Sequence, residues 1–160
     1  MTPELCGTLR SVAGVMASFP EGWTIIGSAA MVLHGIDAGP VHDVDLLVEP
    51  WLADAVLDRM GLVPLLLPPD PLFRSTAFAR WEQPLLPVEV MAGLHVAVAG
   101  RWQPVELCAR KSLDIAGQRL FVPETSELLA LFRLFDRPKD GPRIRALVAA
   151  EAAVRPTAPA

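Results

Sequence analysis

Asp43 and Asp45, two positions apart in Val41-His42-Asp43-Val44-Asp45-Leu46-Leu47-Val48, are the residues whose types and spacing could do chemistry. In an extended strand, side chains alternate, so both carboxylates project one way while Val44, Leu46 and Val48 project the other. Carboxylates held that close repel and raise one another's pKa unless a cation lies between them. Mg²⁺ (or Mn²⁺) is the natural occupant of such an oxygen-only site. Just upstream, Ile25-Ile26-Gly27-Ser28 ends an apolar run in a turn and opens a helix stopped by Gly35. Free N–H groups at a helix start suit an anion, Gly27 permits close backbone approach, and Ser28 can donate a hydrogen bond. An Asp-x-Asp on the wet face of a sheet, or a Ser N-cap, is ordinary alone. Joined by one short helix, they read as a phosphate turn beside a metal-binding strand.

The elements that must position these residues follow from periodicity. Leu5, Leu9, Val12, Val15, Met16 and Phe19 recur at helical spacing and predict an amphipathic helix over 3–18. A strand over 24–26 feeds the turn. Pro50 opens a helix through Met60, with Gly61 as its left-handed cap. Residues 62–67 read as a short strand, and 73–81 as a strand pairing antiparallel with the 86–91 run. Further short strands or edge pieces are expected over 95–99 and 105–108, and a hairpin over 113–122 turning at Ala116-Gly117. Helices then start near Thr125 and Pro142. The expected class is α/β (α+β): a mixed sheet, largely antiparallel, flanked by helices, in one domain over 1–154, with 155–160 frayed.

Composition bounds the rest. The chain has 160 residues, 52% of them apolar, and a mean hydropathy of +0.38. That excess suggests a face covered by a second copy or a protein partner. A net charge of −4 and a pI near 5.3 argue against an extensive nucleic-acid surface, though not against a polyphosphate substrate. No apolar stretch is long enough to cross a membrane and the N-terminus lacks signal-peptide features, so a cytoplasmic protein is expected. Cys6 and Cys108 have no metal-type spacing and read as reduced core thiols. His42 alternates away from the acids, and His34 reads as a cap on its own helix's carbonyls. Arg110-Lys111 reads as a surface pair. Lys139 could reach a phosphate or simply lie in a solvated turn.

Gly27-Ser28, the helix ending at His34-Gly35, and Asp43-Val44-Asp45 together resemble the signature of the nucleotidyltransferase fold of the DNA polymerase β superfamily. Phe121 to Arg133, followed by Arg137-Pro138-Lys139-Asp140, is similar to the closing segment of its abortive-infection-toxin-like and uncharacterised bacterial branches. The resemblance implies a third carboxylate on a neighbouring strand. Glu89, the only acid in Leu86-Pro87-Val88-Glu89-Val90-Met91, is the candidate, against a solvated position on an edge strand. It further implies Mg²⁺ ions held by Asp43, Asp45 and Glu89, with a nucleoside triphosphate gripped near Gly27, Ser28 and Lys139. The implied reaction moves a nucleoside monophosphate to an acceptor hydroxyl on a protein, a tRNA or a small molecule, in a toxin–antitoxin setting or another. Gly39 and Val41 stand where those branches place an Arg and a Thr, and neither side chain donates. The alternatives are a non-catalytic nucleotide-binding module of the same fold, or a metal-dependent phosphodiesterase.

Overall fold

The alternation in 44–48 becomes the central strand of the molecule. A computed structural model describes residues 1–154, so the expected frayed end at 155–160 lies outside the described residues. Helix α1 (Pro3–Met16) begins at Thr2, whose hydroxyl accepts from the Leu5 N–H at 3.3 Å, with Pro3 in the first turn. It buries Leu5, Leu9, Val12 and Met16. Strand β1 (Trp23–Ile26) is followed without a loop by α2 (Gly27–Leu33). Strand β2 (Val44–Val48) leads through a 3-10 turn (Pro50–Leu52) into α3 (Ala53–Met60), capped by left-handed Gly61.

Seven more strands come next, and the nine form three sheets among the described residues. Strands β3 (Phe73–Arg74), β4 (Ala77–Trp81), β5 (Val88–Ala92), β6 (His95–Val98) and β7 (Arg101–Pro104) precede the hairpin β8 (Arg110–Ile115) and β9 (Gln118–Pro123). The main sheet runs β1-β2-β5-β4, with β2 and β5 parallel and the other pairs antiparallel. A smaller antiparallel sheet runs β3-β6-β7. Helix α4 (Thr125–Phe135), a 3-10 turn (Pro138–Asp140) and α5 (Gly141–Val154) complete the described chain. The architecture is the expected α+β one, a mixed sheet with helices around it. Val44, Leu46, Val88, Val90 and Ala79, on one face of the main sheet, are all at most 1% exposed.

Several expectations change. Residues 62–67 form no strand: the Leu65 N–H donates to Phe78 O at 2.7 Å, but Pro64, Pro68 and Pro69 remove the donors a ladder needs. Val63, Leu65, Leu66 and Leu67 are left exposed. The 73–81 run is two strands in two sheets, because the chain changes layer at Ser75-Thr76, where the Thr76 N–H donates to Ala92 O at 2.8 Å. The strand expected over 105–108 lies earlier, at β7, paired with β6 through a tight Ala99-Gly100 turn in which both residues have positive φ. Residues 105–108 are an extended strap, held where the Cys108 N–H donates to Glu127 Oε2 at 3.0 Å. Cys108 is therefore exposed rather than a core thiol, and Cys6 is half-buried. Arg110 is more than a surface cation: it donates to Trp23 O at 3.3 Å and stacks on Phe121 at 4.3 Å, fastening the hairpin beside β1.

Leu46 is fully buried in β2, whereas Leu66 is fully exposed in the loop. Leu46→Ala is expected to cost about 2–5 kcal/mol and Leu66→Ala no more than about 0.5 kcal/mol, measured by urea unfolding. A large loss at Leu66 would mean that the loop is paired after all.

Candidate functional site

One row across the main sheet carries the chemistry. Ile26 on β1 is registered with Asp45 on β2, Asp45 with Glu89 on β5, and Glu89 with Arg80 on β4. Registered neighbours point to the same face, so Asp45 and Glu89 lie side by side. Asp43, two residues before Asp45, projects to that face from the mouth of β2, where the Val44 N–H is fixed to Pro87 O at 2.9 Å. Glu89 therefore sits on an interior strand, and the edge-strand alternative falls. The opposite face is the apolar one, and its burial keeps the acids turned outward from the core.

Gly27 makes the closest approach to this row. Its φ is +68°, and a Cβ added there would collide with Asp45 Oδ2. Only glycine can both adopt that backbone conformation and leave room for the carboxylate. Ser28 follows as the second residue of α2 and is buried. The rest of the loop is structural. His34 is the C-cap of α2, its backbone N–H donating to Ala30 O and Met31 O, and its Nε2, 2.7 Å from Pro123 O, also ties α2 to the end of β9. Asp37 Oδ1 accepts from the Gly39 N–H at 2.9 Å, which rigidifies the turn leading to Asp43. His42 is exposed, just before β2.

Electrostatics bind these residues into one site. Burial, then the charges of Asp43 and Glu89, push the Asp45 carboxyl up from 3.8 to about 7, while Arg137 and Lys139 pull it down. Glu89 is also raised above the usual glutamate value, by burial first and by Asp43 second, against Arg80 and Lys139. Lys139 is exposed in the 138–140 turn, and its charge reaches both acids. Asp45 and Glu89 thus lie side by side with Gly27 against Asp45, and the charges of Asp43 and Lys139 reach both acids.

The sequence reading missed three residues. Arg80 Nη1 is 3.6 Å from Glu89 Oε1, and its Nε is 2.7 Å from Glu82 Oε1. Arg137 forks onto the fully buried Asp140. Arg80 could have been found from its strand register opposite Glu89; a buried Asp in a Lys-Asp turn leaves no such signal. Hard carboxylate oxygens with surplus negative charge suit a divalent cation in kind. Among the described residues, no three His, Cys, Asp or Glu side chains are gathered so as to hold one ion. The acids share a face, with Glu89 leaning toward Arg80.

The fold is one seen before. The Thermotoga maritima protein TM1012, assigned as a nucleotidyltransferase, superposes with a TM-score of 0.74 at 18% identity, over 94% of this chain and 96% of that one. The antibiotic-resistance factor ANT(2'')-Ia gives a TM-score of 0.61 at 12% identity, over 96% and 87%. The lincosamide antibiotic adenylyltransferase LnuA, lincomycin-bound, gives 0.58 at 12%, over 93% and 98%. No protein-family model and no curated protein matches the sequence. The chain has the nucleotidyltransferase fold.

Two outcomes test this geometry without any ligand. Gly27→Ala is expected to destabilise by at least about 1 kcal/mol, from its positive φ and from Asp45. Much of the steric part should vanish in Gly27→Ala/Asp45→Ala, giving a non-additive double-mutant cycle in urea unfolding. For pH, Asp45 has a folded pKa above its unfolded value. Its contribution to stability is fully present below about 4 and lost as pH rises through about 7. Chelator-treated protein should lose melting temperature across that window, and Asp45→Asn should flatten the loss.

Proposed function

We propose that this protein is a metal-dependent nucleotidyltransferase that moves a nucleoside monophosphate from a nucleoside triphosphate to the hydroxyl of a small-molecule acceptor. The observation that carries this reading is the Asp45–Glu89 row, with Asp43 beside it and Gly27 against Asp45. Asp43, Asp45 and Glu89 are the residues that would hold Mg²⁺ or Mn²⁺. When bound, such an ion neutralises the triphosphate and lowers the pKa of the acceptor hydroxyl. Gly27 opens the backbone to the phosphates, Ser28 offers its hydroxyl and N–H, and Lys139 supplies positive charge from the facing turn. Glu89, in register with Asp45, is poised to take up the acceptor proton. The oxygen freed of that proton attacks the α-phosphorus, and pyrophosphate departs.

A small acceptor fits the chain's net charge of −4, which argues against an extensive nucleic-acid surface. It also fits the neighbours, since ANT(2'')-Ia has been captured with adenylyl-2''-tobramycin and LnuA with lincomycin. One observation favours a second reading, a nucleotide-binding module without turnover: Arg80 already stands near Glu89.

The deciding experiment incubates the protein with each α-labelled triphosphate, Mg²⁺ and a panel of hydroxylated acceptors. Label transfer is expected, falling at least about 100-fold in Asp43→Ala and Asp45→Ala. Transfer that survives both substitutions overturns the site. Binding without turnover supports the module, and release of monophosphate from dinucleotides would reassign the chain as a phosphodiesterase. Mg²⁺ should also raise the melting temperature of the wild type at pH 8 and leave Asp45→Asn unmoved.

A further inference from the structure

We propose that Phe78 and Met91 form an apolar shelf beside Glu89 that seats the body of the acceptor, which is thus a hydroxylated molecule with a sizeable apolar part; this rests on the nucleotidyltransferase reading above and names its acceptor class. The placement comes from strand register. Arg80 is paired with Glu89, and the next pair on the same face, two residues along each strand, is Phe78 with Met91. That step is about 7 Å, within reach of the ring of an acceptor whose hydroxyl lies at Glu89. The row continues through Leu47 to Thr24. There it is closed: both residues are buried, and Thr24 Oγ1 donates to Phe121 O at 3.2 Å. Toward β4 the same face opens, with Met91 and Phe78 half-buried and Arg80 exposed.

The open end is the one left for an acceptor. Gly27 reaches Asp45 from the β1 side, so the phosphate turn occupies the other end of the acid row. Met91 packs against the hydrophobic core, whereas Phe78 stands apart from it. An aromatic ring half-exposed on the face of the acids, with no place in the core, offers its surface to an apolar ligand. The loop after α3 lengthens the shelf. The Leu65 N–H donates to Phe78 O at 2.7 Å, which lays that loop along the free edge of β4. Val63, Leu65, Leu66 and Leu67 are exposed in it. A run of bare apolar side chains marks a binding surface, and its continuity with the Phe78–Met91 pair assigns it to the acceptor. A wholly polar acceptor gains nothing from such a shelf.

The test titrates methyl, butyl and hexyl β-glucosides, which share their hydroxyls and differ in apolar length, into the full chain carrying ¹³C-methyl methionine and followed by NMR. Calorimetric binding of ATP, GTP, CTP and UTP, each with Mg²⁺, and the KM values of label transfer are measured alongside. The Met91 methyl signal, assigned by its loss in Met91→Leu, is expected to move with hexyl glucoside, while those of the fully buried Met16 and Met31 stay. Affinity should rise by up to about fourfold per added methylene, and at least about tenfold from methyl to hexyl. Phe78→Ser should flatten the series to within about twofold and leave nucleotide affinity unmoved, and Phe78→Leu should restore the gradient. Equal weakening of all three glucosides and of the nucleotide in Phe78→Ser means a structural role and overturns the inference. If Phe78→Ser does not fold, the Met91 signal and the wild-type gradient decide. Wild-type affinities that do not rise along the series, or a Met91 signal that ignores hexyl glucoside, overturn it and leave the functional reading standing. A wild type that binds none of the four nucleotides overturns both.

Discussion

Three carboxylates held against their mutual repulsion on one sheet face are the constraint on which the rest of the structure depends. Moving the Asp45 carboxyl from 3.8 to about 7 corresponds to a penalty on the order of 4 kcal/mol for its charged form. The compensation is on the back of the same strand. Val44, Leu46 and Val48 are at most 1% exposed, and burying three such side chains contributes roughly 5–9 kcal/mol. Burial wins, so the strand register is set by its apolar face and the acids have no freedom to turn away. A slip of one residue would put Asp45 in the core, which makes the register self-policing.

The turn before α2 obeys the same constraint. Because Asp45 cannot move, the chain leaving β1 must pass it without a Cβ and with positive φ, and Gly27 meets both demands. The turn that carries Arg137 and Lys139 is built differently. It is stitched by the buried Asp140, far along the chain from β2. Negative charge is thus anchored by a sheet and positive charge by a helix junction.

What was legible in the sequence follows this division. Period-two alternation around Asp43 and Asp45, the Gly27 turn, the Gly61 cap and the Ala116-Gly117 hairpin are local patterns, and local physics writes them into neighbouring residues. The failures needed information from elsewhere in the chain. Leu62 to Leu67 has strand-like composition, but its prolines left it one ladder bond to Phe78. The change of layer at Ser75-Thr76 depends on where β5 and β6 run. Ala99-Gly100 makes the same kind of tight turn as Ala116-Gly117, yet lacked the clean alternation on both sides that made the latter readable. Among the site residues, Glu89 was found through a family resemblance, not from its own pattern. Arg80, Arg137 and Asp140 were missed because a cross-strand ion pair and a buried fork are made by tertiary contact alone.

The choice between a working site and a silent one turns on Glu89. Arg80 stands 3.6 Å from it, a loose pair, while the same guanidinium is only 2.7 Å from Glu82. The Arg80 and Glu82 side chains are well exposed, at 44% and 67%, so solvent screens both contacts and each is worth about 0–1 kcal/mol. Arg80 therefore has an alternative partner already in place, and yielding Glu89 costs it little. The remaining acids pull the other way. Asp43 and Asp45 concentrate negative charge that no cation among the described residues pairs with directly, since Arg137 is engaged by Asp140 and Lys139 is solvated in its turn. A divalent cation, if one bound there, would relieve repulsion between the acids it met, whereas Arg80 relieves it for Glu89 alone. Arg80 is thus better understood as a placeholder that keeps Glu89 in its row than as a plug that disables it.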